Sequence, residues 1–279
     1  MKIGTREFQT SGHTYVMGIL NVTPDSFSDG GQFQSIDAAL AHTERMLIEG
    51  MDIVDIGGES TRPGFTPVSV QEEIDRVCPV IEAIHSRFDV PISLDTSKSS
   101  VAQAGILAGA DLINDIWGLK GDEQLAGVIA KERKPCVLMH NRAHADYTDF
   151  ISGLCSDLTE TLTIAKCAGI IREQIILDPG IGFGKTYEQN LALLRQLDVL
   201  HRFDLPILLG TSRKSVIGLA LGLPVEERVE GTLVTTVLAV QQGCMFVRVH
   251  DVKENVRAIR MAEAIYAEKG DNHGSDQNR

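Results

Sequence analysis

Two sets of residues in this chain have types and spacing that could do chemistry. In the run "VRVH", Arg248 and His250 stand two apart. On an extended strand that spacing puts both side chains on one side, where both can face the same anion. Arg62, next to Thr61 in "ESTRPG", adds another guanidinium, suited to the oxygens of a phosphate or diphosphate. Asn21 follows the apolar run "YVMGIL" and brings an amide oxygen that a hard metal ion could share with such a group. The second set has the opposite character. Asp95 in "LDTSK", Asn114 in "IND" and Asp178 in "LDPG" offer acceptors and an amide, as a flat ring edge rich in N–H donors requires. A structural alternative is an ion cluster in which Asp95 and Asp178 pair with Lys214.

Other motifs carry less. The stretch "DPGIGFGKT" resembles a phosphate-binding loop ending at Gly184, Lys185 and Thr186, but Pro179 stands where that pattern needs glycine. Its glycines let the backbone pass close to a flat ligand, with Phe183 packing nearby. His140 and His144 have the four-residue spacing of zinc ligands without a helix pattern or a glutamate, so a solvated loop is expected there. Trp117 and the methionines read as packing. In "GTSRKSVIG", Ser215 starts a helix whose N–H groups could receive a carboxylate; an ordinary helix cap is the competing reading.

These residues must be positioned by something regular. Short runs rich in Val, Ile and Leu fall at 15–20, 52–56, 91–94, 111–114, 135–139, 174–177, 206–210 and 244–249. Between them lie segments such as "SIDAALAHTERMLIEG", with apolar residues recurring at three and four and a glycine at the end. Strands alternating with helices imply a parallel sheet. Eight such units predict a single (β/α)8 TIM barrel over residues 1–270, followed by a tail, 271–279, expected to be disordered. The long acidic stretch "NVTPDSFSDGG" after the first strand argues against a dinucleotide-binding doubly wound sheet. In a barrel the polar residues at strand ends, Asn21, Glu59, Asp95, Asn114, His140, Asp178, Lys214 and Arg248, converge on one face.

Composition sets the outer limits. The 279 residues are 43% hydrophobic and 23% charged, enough for a large core and without bias toward disorder. A net charge of −12 disfavours nucleic acid and anionic membrane as partners. An anionic substrate therefore needs a local cluster of cations. No run suits a membrane span and the start lacks a signal-peptide core, so a cytoplasmic protein is expected. Five scattered cysteines without a C-x-x-C pair read as reduced thiols rather than a disulfide framework.

Taken in order, "MGILNVTPDSFSDGG", "VDIGGESTRPG", "LDTSK", "IND", "LDPGIGFGKT", "GTSRKSVIG" and "VRVHDV" resemble the dihydropteroate synthase family from about residue 15 to 265. The resemblance implies an enzyme, a transferase. It joins 6-hydroxymethyl-7,8-dihydropterin diphosphate to 4-aminobenzoate, releasing diphosphate, in folate synthesis. By the family pattern Asp95, Asn114, Asp178 and Lys214 hold the pterin, with Phe183 nearby. Thr61, Arg62, Arg248 and His250 fall where the diphosphate binds, and Asn21 is the protein ligand of Mg²⁺. The first and second loops are mobile in the family. They contribute Phe27 and Pro63 to the 4-aminobenzoate pocket, with Ser215 at its carboxylate, while Asp29 organises the closed loops. A homodimer is implied as well.

The chain departs from the family pattern at "MHNRAHADYTDF" after the fifth strand, at Met51, expected to pack, and at Phe65, which could alter the binding of sulfonamides that mimic 4-aminobenzoate. Competing functions are a barrel aldolase with Lys214 as Schiff base, a pterin-binding methyltransferase, and a non-catalytic pterin-binding module. The aldolase leaves the acidic set without a task. The other two do not need the diphosphate cluster.

Overall fold

The computed structural model describes residues 1–22, 32–59 and 68–267, the side chains of 32–35 excepted. A small antiparallel hairpin, β1 (Lys2–Ile3) and β2 (Arg6–Glu7), precedes the first long strand, β3 (Tyr15–Asn21). Seven strand-helix steps follow α1 (Gln32–Glu49). They are β4 (Ile53–Gly57) with α2 (Val70–Arg87), β5 (Ile92–Asp95) with α3 (Ser99–Ala108), and β6 (Leu112–Asp115) with α4 (Leu125–Glu132). Next come β7 (Cys136–Met139) with α5 (Phe150–Ala168) and β8 (Ile175–Asp178) with α6 (Tyr187–Arg195). β9 (Leu208–Gly210) leads into two helices, the short α7 (Ser215–Leu221) and α8 (Val229–Gln241), before β10 (Phe246–Val249) and α9 (Val252–Tyr266).

The strands pair in parallel in the order β8-β7-β6-β5-β4-β3-β10-β9, and a parallel bridge between Leu177 and Ile207 joins the two ends. The architecture is the expected (β/α)8 TIM barrel. Each predicted strand is present, but β4, β5, β6 and β8 each lie one residue later than the apolar pattern indicated. Asp95 and Asp178 are therefore strand residues, fixed by the ladder, rather than loop residues beyond it, and Asn114 is a strand residue as expected. The tail assigned to 271–279 lies outside the described residues.

Alternation along the strands builds two cores. Outward residues such as Val54, Ile56, Leu94, Ile113 and Leu177 pack under the helices. Inward residues near the strand starts, Met17, Ile53, Leu112, Val137, Ile176, Leu208 and Phe246, fill the barrel floor together with Ile3 and Phe8 of the hairpin region. Phe8 meets Tyr15 edge-on at 4.9 Å and Phe246 at 5.7 Å, so the N-terminal end is sealed by aromatic contact. Met51 is buried in the outer core, its sulfur against Gly18, as packing requires. Helix ends are fixed locally: Ser69 caps α2, Asp149 caps α5, and Thr186 with Gln189 forms a capping box on α6.

Candidate active site

One step up from the apolar floor the inward face becomes charged. Asp55, fully buried in β4, accepts from Ser93 Oγ at 2.5 Å and from Arg248 Nε at 2.6 Å. Arg248 Nη2 donates to Asp95 Oδ2 at 2.7 Å. One guanidinium thus serves two carboxylates. Asn114 Nδ2 lies 3.5 Å from both Asp55 oxygens, at the outer limit of a hydrogen bond. Burial pushes Asp95 up to about 7, against the pull of Arg248 and with the help of Asp55. Burial works against the charge on Arg248, but Asp55 and Asp95 together hold it above the usual guanidinium range.

Asp178 ends β8, with Oδ1 accepting from the Gly180 N–H at 2.7 Å. Its burial raises the carboxyl above the usual range, and Lys214 opposes that rise. Lys214 is not a strand residue. It immediately precedes α7, donates to the Ile181 carbonyl, and sits 4.4 Å from the centre of the Phe183 ring, a cation–π contact. Burial lowers its ammonium to about 8, with Asp178 opposing.

The turn that carries Lys214 is held tightly. Arg213, at φ 57°, has its N–H on Thr232 Oγ1 at 3.1 Å, its carbonyl on Arg228 Nη1 at 3.0 Å and its Nε on Asp251 at 2.9 Å. Ser212 Oγ meets His250 Nδ1 at 2.9 Å and accepts the His250 N–H at 3.1 Å. Across the mouth, Lys98 Nζ joins Glu59 at 2.8 Å, Glu73 at 2.7 Å and the Val68 carbonyl at 2.8 Å, while Glu59 also accepts from the Val68 N–H. Residues 59 and 68 are clasped together there.

The face therefore brings Asn21, Asp95, Asn114, Asp178, Phe183, Lys214, Ser215, Arg248 and His250 to one end of the barrel. Phe27, Asp29, Thr61, Arg62, Pro63 and Phe65 lie outside the described residues. The structure corrects several sequence-based expectations. The suggested ion cluster of Asp95 and Asp178 with Lys214 gives way to an Asp55–Arg248–Asp95 bridge. Ser215 starts α7 as expected, and the competing reading of it as the cap falls, since Lys214 holds that position. His140 is buried rather than in a solvated loop, and Trp117 is an exposed large apolar residue rather than core packing. Arg248 lies in β10 and His250 directly follows it; Arg248 Nε donates to Asp55, and His250 Nδ1 meets Ser212 Oγ.

Sequence reasoning missed Asp55, Ser93 and Lys98. A carboxylate inside the apolar run "DIVDI" was the available signal, since a buried acid demands a partner. Among the described residues no group of three His, Cys, Asp or Glu side chains could hold a metal. The exposed amide of Asn21 next to Gly57 and Asp95 fits the sparing protein ligation of Mg²⁺, which keeps waters and takes oxygens from a substrate.

The chain resembles known proteins over nearly its whole length. The profile of the pterin binding enzyme family matches residues 17–250. A dihydropteroate synthase of Clostridium beijerinckii is 58% identical over 266 residues, covering 95% of this chain and 99% of its own. The dihydropteroate synthase of Clostridium difficile, solved in the presence of pteroic acid, superposes with a TM-score of 0.91 at 47% identity, covering 94% of this chain and 100% of its own. That of Xanthomonas albilineans, solved with 4-aminobenzoic acid, gives a TM-score of 0.88 at 43% identity over 92% of this chain and 94% of its own.

Proposed function

We propose that this chain, which belongs to the dihydropteroate synthase family of pterin-binding enzymes, joins 6-hydroxymethyl-7,8-dihydropterin diphosphate to 4-aminobenzoate, giving 7,8-dihydropteroate and diphosphate for folate synthesis. The observation that carries this reading is the buried set Asp95, Asn114 and Asp178 at one barrel mouth beside Lys214 and Phe183. The amino-pyrimidine edge of a pterin offers several N–H donors, and a buried acceptor strongly favours a ligand that satisfies it. Lys214, with its lowered value of about 8, is still largely protonated at neutral pH and can donate to the ring.

In this reading Thr61, Arg62, Arg248 and His250 receive the diphosphate, and Asn21 would hold Mg²⁺. That ion offsets charge on the leaving group when bound. Phe27, Pro63 and Ser215 receive 4-aminobenzoate, with Asp29 organising the loops. The displacement is dissociative. As the C–O bond to diphosphate breaks, positive charge spreads into the electron-rich pterin, where the carboxylate of Asp178 stabilises it. The neutral arylamine then forms the C–N bond and loses a proton, so no strong base is required. A secondary deuterium isotope effect near unity at the methylene carbon would count against this order.

A homodimer and a cytoplasmic setting belong to the same reading. The groove between α6, α7 and α8, about 950 Å³, is lined in part by Val216, Ile217 and Leu238. Leu219, Leu221 and Val234 are exposed along those helices, which supports a self-associating face. Among the described residues no helix is long and apolar enough to cross a membrane. The functional test is incubation of the folded chain with both substrates and Mg²⁺. Dihydropteroate and diphosphate are expected in equal amounts; neither product from folded protein would refute the assignment.

A further inference from the structure

A half-buried cation in the mouth is not used by the chemistry above. Lys185 Nζ lies 2.9 Å from His140 Nδ1, 2.8 Å from the Gly180 carbonyl and 2.9 Å from the Phe183 carbonyl. The Asp157 carboxylate only accepts, so a neutral His140 carries its proton on Nε2 and accepts at Nδ1 from Lys185, whose ammonium burial lowers to about 7 with Asp178 opposing. Nε2 lies 2.9 Å from Asp157 Oδ2, to which it donates. Asp157 also receives Arg142, through Nε at 2.6 Å and Nη2 at 3.0 Å. Burial and the neighbouring Lys185 lower His140 to about 3, consistent with a neutral ring.

The chain ties two loops together, the one after β7 and the one after β8. The second contains Gly180, Gly182 and Gly184, all at positive φ. Glycines give such a loop many alternative shapes, and a side chain at Gly180 or Gly184 would collide with the backbone of His140 or Arg142. Lys185 sits inside the curl and grips two of its carbonyls. The same loop supplies what Lys214 touches, the Ile181 carbonyl and the Phe183 ring.

Resting on the pterin-binding reading, we infer that Lys185 is a positioning residue: with His140 and Asp157 it holds the Gly180–Gly184 loop in the shape that seats Phe183 and Ile181 against Lys214. It acts on the pterin through that loop rather than by touching it.

The test is Lys185→Met, with pterin and 4-aminobenzoate responses measured separately. Loss of the charge-assisted hydrogen bonds should weaken dihydropterin diphosphate binding about tenfold or more. The KM for 4-aminobenzoate should stay within about twofold on the same ground, since the effect is confined to the pterin wall. Nitrogen NMR of His140 should report a single Nε2–H tautomer in the wild type and a mixture in the variant. Unchanged pterin affinity, or equal rises in both constants, would overturn the inference. If Lys185→Met does not fold, Asp157→Asn decides: about threefold weaker pterin binding supports the clamp, and no change overturns it. Failure of the wild type to bind dihydropterin diphosphate would refute the functional reading instead, and the ring-nitrogen signals would still judge the clamp.

Discussion

The two ends of the barrel are written on the same strands, two residues apart. Ile53, Leu112, Ile176 and Phe246 fill the floor, and the next inward positions on those strands are Asp55, Asn114, Asp178 and Arg248. The floor satisfies itself by apolar contact and is sealed by Phe8 of the N-terminal segment. The mouth buries charge, and its charges pair only partly: Arg248 is shared between Asp55 and Asp95, while burial raises Asp178. A strand of four residues can thus give one step to stability and the next to chemistry, because alternation places both on one face.

Asp55, at the mouth, should break that separation most visibly, since its buried pairing with Arg248 serves stability as well as the site. Asp55→Ala leaves Arg248 with one carboxylate and should cost about 3 to 5 kcal/mol of stability, as removing one partner of a buried ion pair does. It should also weaken pterin binding, both effects being read by chemical denaturation and ligand titration. At the floor, Phe8→Ala should cost about 3 to 4 kcal/mol with pterin affinity unchanged; a parallel loss of affinity would show that the two ends are coupled. At the mouth the reverse is expected. Asp178→Asn keeps an acceptor for the Gly180 N–H but loses the charge. It should weaken pterin binding by about 2 kcal/mol while moving the denaturation midpoint little.

Acidity sharpens the contrast further. Affinity for the pterin should fall as pH drops through about 7, where Asp95 takes a proton, and fall again above about 8, where Lys214 loses one. Asp95→Asn should remove the acid limb in a fluorescence titration. The effect of Asp95 on folding has the opposite sign. Its folded value lies above the ordinary carboxylate range, so its contribution to stability is full below that range and is lost as pH rises through about 7. The smallest effect is expected outside the barrel, where Arg6 donates to the Asp89 carbonyl at 2.6 Å. Arg6→Ala should cost about 0.5 kcal/mol and leave activity intact.

Much of this was legible in the chain. Eight apolar runs and their spacing gave the barrel, because a parallel sheet covered on both sides needs continuous apolar strands. Asp95, Asn114 and Asp178 were legible as polar ends of such runs. Asp55 was not, since it lies inside a run and its partner Arg248 is distant in sequence. By local pattern His140 suggests a solvated loop and Lys185 an imperfect phosphate-binding loop. Their pairing across 45 positions depends on two loops meeting, which no local pattern records. Lys214 was placed on a strand end because its distance from β9 depends on a turn with Arg213 at positive φ, a conformation that a non-glycine residue does not announce.

The most direct measurement is a crystal structure of this chain with dihydropterin diphosphate bound. The ring edge is expected against Asp95, Asn114 and Asp178, with Lys214 and Phe183 at its side and the diphosphate toward Arg248 and His250. A pterin bound elsewhere, for instance in the apolar groove between α6 and α8, with the acidic mouth left to solvent, would contradict it.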